Sequence, residues 1–414
     1  MAPRRLAVDE LASVLPAGGL TLVSSCSAES RLLGDMVAAA AGSLGDMAFS
    51  GIFVPRLNRL VWDGGPQTRV ITFFQTQELR AEGERVDFLP LNYGQIVAFY
   101  RRHKPQAALF MCSPPDAQGN CSFGTECAFI ADMWRDIPVR IAHINPLMPR
   151  TPGDKGIPFS EITAVVEAEQ DLLGIPAASP DAVAQAIAAQ VAEFVSDGAT
   201  LQTGLGRIPD AVLDALHDRR GLRLHTGLLG DGGLRLLRSG AMAEGRSALV
   251  GVAIGSPELY AGLDDPHLQF RPVSSTHHVA LAGAADALVT INSAIEADLF
   301  GQCYAEVGPK GAMSGPGGAS DFAAAARLSP GGKRIVAFPA SAAGGTVSRI
   351  VLPQDATGPV SLGRMDVDII VTEHGAADLR GKSHEARAKA LIAIAAPDHR
   401  ETLAAGWCDI AARL

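Results

Sequence analysis

"GATLQTGLGRIPDAVLDALHDRRG", residues 198–221, reads as one strand, loop and helix in succession. The short apolar run up to Gly204 predicts a strand, Leu205-Gly206-Arg207 a glycine loop, and 208–220 a helix. Pro209 falls in the first turn of that helix, where a missing N–H costs nothing, and Gly221 follows its end. The same order occurs near the start of the chain. "GLTLVSS" (19–25) is a strand, "CSAES" (26–30) a small polar loop, and "RLLGDMVAAAAGSLG" (31–45) an amphipathic helix. Between the two lies "GIPAASPDAVAQAIAAQVAEFVSDG" (174–198), in which Pro-Ala-Ala-Ser-Pro reads as a linker and the alanine-rich segment as a helix opening a second half. A boundary near residue 180 gives two α/β domains, 1–180 and 181–414. Alternating strands and helices favour parallel sheets covered by helices, with ligands at the carboxyl ends of the strands.

Composition is compatible with that reading and removes several classes of function. The chain has 414 residues, too many for one ordinary domain, with 47% hydrophobic and 19% charged residues. A formal net charge of -9 gives no footprint for nucleic acid, and Arg101-Arg102-His103 reads as a solvated helix end. Cys26, Cys112, Cys121, Cys127, Cys303 and Cys408 form no CxxC pair and no spacing with histidine that suits zinc, so no metal is expected and the thiols read as reduced. The first residues, "MAPRRLAVDELASVLPAGG", do not read as a signal peptide, and no apolar stretch approaches the ~20 residues that span a bilayer. A cytoplasmic protein without membrane or nucleic-acid partners is expected.

Candidate chemistry gathers at the strand ends. Gly204 and Gly206 flank Leu205 just before a helix, where backbone N–H groups can face an anion or a developing oxyanion; the same pattern also makes a tight turn. "SGPGGASDF" (314–322) is a second glycine cluster, either a close approach for substrate or a flexible loop. In "GLRLHTGLLGDGGL" (221–234) a strand is expected to end at His225-Thr226, and the residue that follows, Gly227, has no side chain.

Six blocks in order, "CSPPDAQGNCSFG" (112–124), "INPLMPRTPGD" (144–154), "LQTGLGRIPDAV" (201–212), "INSAIEADLFGQCYAE" (291–306), "SGPGGASDF" (314–322) and "VTEHGAADLRGKS" (371–383), resemble the acetyl-CoA hydrolase/transferase family, in particular its 4-hydroxybutyrate CoA-transferase-like branch. The resemblance implies a class I CoA-transferase-like fold of two α/β domains with the active site in the cleft between them, and a homodimer. It implies no bound cofactor: a coenzyme A thioester is the substrate or ligand, and a small carboxylate or other group is the acyl acceptor. In the implied mechanism a glutamate carboxylate attacks the acyl-CoA thioester to give a mixed anhydride. The released thiolate returns to leave a glutamyl-CoA thioester, from which a second acid collects the CoA. Each step passes through an oxyanion. The resemblance assigns its stabilisation to the backbone at Leu205 and Gly317, and substrate or CoA contact to Gly204, Gly206, Arg207, Ile208, Met313 and Gly318.

Two departures from the family pattern bear on the chemistry. Relatives read His, then Ser or Thr, then the nucleophilic Glu; here these positions hold His225, Thr226 and Gly227. "FPASAAGGTVSRI" (338–350) resembles a stretch that carries one or two lysines before the glycine, one a CoA contact, and here those positions hold Ala343 and Gly344. Three readings follow. A surrogate carboxylate, from Glu306, Glu296, Asp231 or Glu29, replaces the missing nucleophile, although Asp231 equally reads as a helix cap and Glu296 and Glu306 as structural partners of basic groups. Alternatively the chain is a repurposed acyl-CoA hydrolase or acyltransferase, in which water or an acceptor attacks directly with His225 as base, although His225 reads first as a structural ring donating to backbone; Cys26 and Ser27 are further nucleophile candidates, Cys26 reading first as a buried inert thiol. In the third reading the protein binds acyl-CoA without catalysis.

Overall fold

The computed structural model describes residues 2–176, 179–308 and 311–414, so part of the expected 176–180 linker, Ala177 and Ala178, lies outside the described residues. The chain divides into two compact units, one of residues 1–176 with 248–276 and the other of 177–247 with 277–414. A single cut near residue 180 therefore differs from the packing at one segment: 248–276 clusters with the N-terminal residues.

The first unit holds a parallel sheet of β1 (Arg4–Arg5), β2 (Leu20–Val23), β3 (Ala48–Gly51), β4 (Arg69–Thr72), β5 (Val86–Phe88), β6 (Ala107–Cys112), β7 (Val139–Ile144) and β8 (Ala164–Glu167), in the spatial order β1-β8-β7-β6-β2-β3-β4-β5. The central β6, "AALFMC", is buried along its whole length, as a strand covered on both faces must be. Helix α1 (Arg31–Ala39) begins where the Ser30 hydroxyl accepts the N–H of Leu33 at 3.1 Å. It ends six residues before the expected Gly45, in a turn whose Gly42 takes φ +82°. Helix α2 (Tyr93–His103) starts with a reciprocal cap between Asn92 and Gln95 and ends, as the sequence suggests, in the exposed run Arg101-Arg102-His103. The parallel pair Ala248–Ala253 and Leu268–Phe270 completes this unit.

In the second unit, β9 (Thr200–Thr203), β10 (Arg223–Leu229), β11 (Leu288–Asn292), β12 (Lys333–Ala337), β13 (Ile369–Thr372) and β14 (Gly375–Asp378) lie in the order β10-β9-β11-β12-β13-β14. All neighbours with a register run parallel except the last, β14, which pairs antiparallel with β13. Helix α3 (Ala182–Ala192) is the expected alanine-rich helix, capped by the Asp181 carboxylate on the N–H of Ala184 at 2.8 Å. Helices α4 (Arg207–Asp214) and α5 (Asp231–Arg238) approach closely because Gly232 has no side chain: a Cβ there would lie 2.6 Å from Asp210 Oδ1 and 2.8 Å from its Cα. α4 is shorter than the expected 208–220, its remainder continuing as turns. Among the described residues no helix is long and apolar enough to cross a membrane.

Candidate functional site

β9 leads into Gly204, Leu205 and Gly206, and α4 begins at Arg207, so the opening segment folds as strand, glycine loop and helix. Gly206 adopts φ +123° and ψ 179°, a conformation open essentially to glycine alone. Among the described residues, added Cβ atoms on Gly204 and Gly206 would meet nothing within 4 Å, so a ligand can reach this backbone closely. Gly206 caps α4 without a side-chain hydrogen bond, which leaves the first-turn amides and the positive end of the helix for another acceptor. Leu205 and the exposed Arg207 border that loop. Arg207 pairs with Asp181 at 2.7 Å, an exposed contact that contributes little to stability. Pro209 occupies the first turn of α4 as expected.

The neighbouring strand corrects one expectation. β10 does not end at His225-Thr226 but continues through Gly227 to Leu229. Thr226 fixes this strand: its hydroxyl donates to the Thr203 carbonyl at 2.9 Å, while the N–H of Leu228 donates to Thr226 Oγ1 at 3.4 Å. His225 and Gly227, two residues apart, lie on one face of the strand. The His225 ring stands edge-on to Phe322 at 6.3 Å between centroids. Phe322 belongs to α6 (Ala319–Leu328), whose start is Gly318, preceded by Gly317 at φ +62°. The structure thus joins two segments that sequence treats separately, the histidine strand and the second glycine cluster.

A residue that the sequence does not single out completes this group. His277 is buried, its ring 4.7 Å from Phe322, and a Cβ built on Gly227 would fall 2.5 Å from its Cε1 and 2.6 Å from its Nε2. Burial, reinforced by the neighbouring His225, pushes the His277 pKa down to about 3, so this ring is neutral at ordinary pH. No local signal marks it. His277 lies fifty residues from Gly227, and its neighbour His278 serves as the cap of the short helix Val279–Gly283.

The remaining candidates have partners of other kinds. Glu306 accepts the Ser361 hydroxyl at 2.8 Å and, through its carbonyl, the N–H of Met313 at 2.7 Å. Glu296 accepts both the N–H and the hydroxyl of Thr357, the latter at 2.9 Å. The partners found for these two carboxylates are thus hydroxyls and amides, where the sequence suggests basic groups. Asp231 opens α5 as its first residue, the N-cap being Gly230. Met313 is exposed and lies along Gly308. Ala343 and Gly344 form the exposed tip of a hairpin between Ser341–Ala342 and Val347–Ser348, both with positive φ.

In the first unit, Cys26 has φ +48°, and burial holds its thiol well above the usual range, as an inert thiol requires. The Ser27 hydroxyl donates to the Ala253 carbonyl at 2.7 Å. Glu29 is buried, its Oε2 without a hydrogen-bond partner among the described residues, and burial raises it to about 7. Glu126, which no sequence motif indicates, accepts both the N–H and the hydroxyl of Ser25 at 2.8 Å; burial still raises it to about 8.

Two parallel α/β units with glycine loops at the strand ends form a fold shared with solved CoA-transferase-like structures. The RipA structure from Yersinia pestis superposes with a TM-score of 0.87 at 29% identity, covering 98% of this chain and 97% of that one. The 4-hydroxybutyrate CoA-transferase of Porphyromonas gingivalis gives a TM-score of 0.81 at 27% identity over 99% and 98% of the two chains. In sequence, the 4-hydroxybutyrate coenzyme A transferase of Clostridium kluyveri is 36% identical over 77% of this chain and 76% of its own length. The acetyl-CoA hydrolase/transferase C-terminal domain model matches residues 255–406. The chain belongs to the acetyl-CoA hydrolase/transferase family. Its relatives include both CoA transferases and acetyl-CoA hydrolases.

Proposed function

We propose that this protein is an acyl-CoA enzyme of the CoA-transferase family with altered chemistry, in which water or a small carboxylate attacks the bound thioester directly. The observation that carries the reading is position 227 itself: it lies beside His225 on the β10 face, is glycine where a carboxylate would be needed, and has the His277 ring packed against it. The amides at Leu205 and Gly206 and at Gly317-Gly318 receive the oxyanion formed when the carbonyl is attacked. With water as nucleophile, His225 takes its proton; the tetrahedral intermediate collapses to the carboxylic acid, and the proton passes to the departing CoA thiolate. With a carboxylate, attack expels the thiolate and forms a free mixed anhydride. The thiolate then attacks the acceptor's carbonyl, giving the new thioester and releasing the original acid. Relatives named as hydrolases and as transferases correspond to these two outcomes.

The structure at Ala343 and Gly344 supplies no lysine for a phosphate or pantetheine contact, which supports looser binding of CoA than the family pattern implies. The test is consumption of a panel of short acyl-CoAs, with and without acetate, followed by thiol release and by the appearance of acetyl-CoA. Turnover without any acyl or CoA adduct on the protein is the expected result. A borohydride-reducible adduct on Glu306, Glu296 or Asp231 overturns direct attack, and binding of acyl-CoA without turnover makes the protein a binding module.

A further inference from the structure

The space beside Gly227 belongs to another residue. A side chain at 227 has to begin with a Cβ, and that atom would lie 2.5 Å and 2.6 Å from two ring atoms of His277, well inside van der Waals contact. The ring has little freedom to yield, since it is buried and Phe322 stands 4.7 Å away. His277 is also the first residue of the second unit after the 248–276 segment, so its backbone is set at the point where the chain enters that unit. A carboxylate placed here would in addition lose water without gaining a cationic partner from this neutral ring.

We propose that His277 is a specificity-determining residue of this site: its ring takes the volume that a side chain at position 227 would need, which bars residue 227 from presenting a nucleophile and leaves the attacking oxygen to water or the acceptor. The inference rests on the direct-attack reading for its catalytic consequence, and on packing alone for its structural one. Gly227 and His277 form a matched pair, so restoring a carboxylate at 227 without removing the ring leaves the covalent route closed.

Two measurements separate these parts. In a stability cycle, Gly227→Ala lowers the thermal midpoint by about 4 °C or more in the parent and by less than half of that in a His277→Ala background. A Gly227→Ala variant as stable as the parent, or a loss unaffected by His277→Ala, overturns the proposal. In the second measurement Gly227→Glu and Gly227→Glu/His277→Ala are incubated with acyl-CoA and examined by intact mass. The introduced carboxylate attacks the thioester and expels CoA thiolate, which attacks the resulting anhydride at the 227 carbonyl, releasing the acid and leaving CoA bound as a thioester. An adduct in the double variant alone supports the proposal. An adduct in Gly227→Glu alone overturns it, as does its absence from a folded double variant when the parent releases thiol. A parent that neither releases thiol nor, with acetate present, forms acetyl-CoA overturns the enzymatic reading by itself, because the stability cycle still decides where the ring sits.

Discussion

Gly317 and Leu205 separate what backbone and side chain contribute at the site. Gly317 has φ +62°, where a β-branched residue is strained, and its amide lies just ahead of α6. If the proposed oxyanion role holds, Gly317→Val lowers acyl-CoA turnover by ~100-fold or more while circular dichroism shows a folded chain. Leu205→Ile keeps the backbone and is expected to be mild. Equal rates for the Gly317 variant and the parent would remove this loop from the active site. His277 has the opposite character, since its side chain and not its backbone defines the space around Gly227.

At the scale of elements, β10 and α6 are held together through Phe322, which is buried against both histidines. Phe322→Ala removes the common wall of the two rings and is expected to cost about 3–5 kcal/mol, measured as a shift in the denaturant midpoint at constant m. Turnover should fall beyond what the unfolded fraction explains, because the imidazoles lose their fixed positions. Thr226 holds the other side of the strand, its hydroxyl donating to Thr203. Its replacement by valine leaves the β9 carbonyl without that donor. The expected penalty is smaller, about 1–3 kcal/mol.

For the whole molecule, the buried acids and the buried histidine act on pH dependence in opposite directions. Glu29 and Glu126 have raised pKa values, about 7 and about 8, so the folded chain holds protons that the unfolded chain loses from about pH 4.5 upward. Their effect is a stability that declines as pH rises from about 4.5 through 8. His277 is depressed to about 3, so the unfolded chain gains a proton first and stability declines as pH falls from about 6.5 toward 3. Thermal midpoints from pH 4 to 9 are expected to show Glu126→Gln flattening the alkaline side and His277→Asn the acid side. If neither variant changes its own limb, these groups do not govern the pH dependence.

Much of the architecture was legible because it rests on local rules. The 198–221 segment carries its strand, glycine loop and proline-started helix within one short window, and the alanine-rich helix follows directly on the proline linker. Six separated blocks were enough to identify the family, and the loops at 204–206 and 317–318 could be marked from glycine alone. Helix lengths were less legible. α1 and α4 stop early where glycine and turn geometry take over from an apolar pattern that continues. The extension of β10 through Gly227 was hidden for a related reason, since glycine gives no strand preference and the ladder partners lie elsewhere in the chain. By itself the sequence determined that no carboxylate stands at position 227, because a missing side chain is a covalent fact. Only the tertiary structure decided what fills the space: the His277 ring arrives from fifty residues away, and excluded volume between distant segments has no periodicity or motif by which a sequence can announce it.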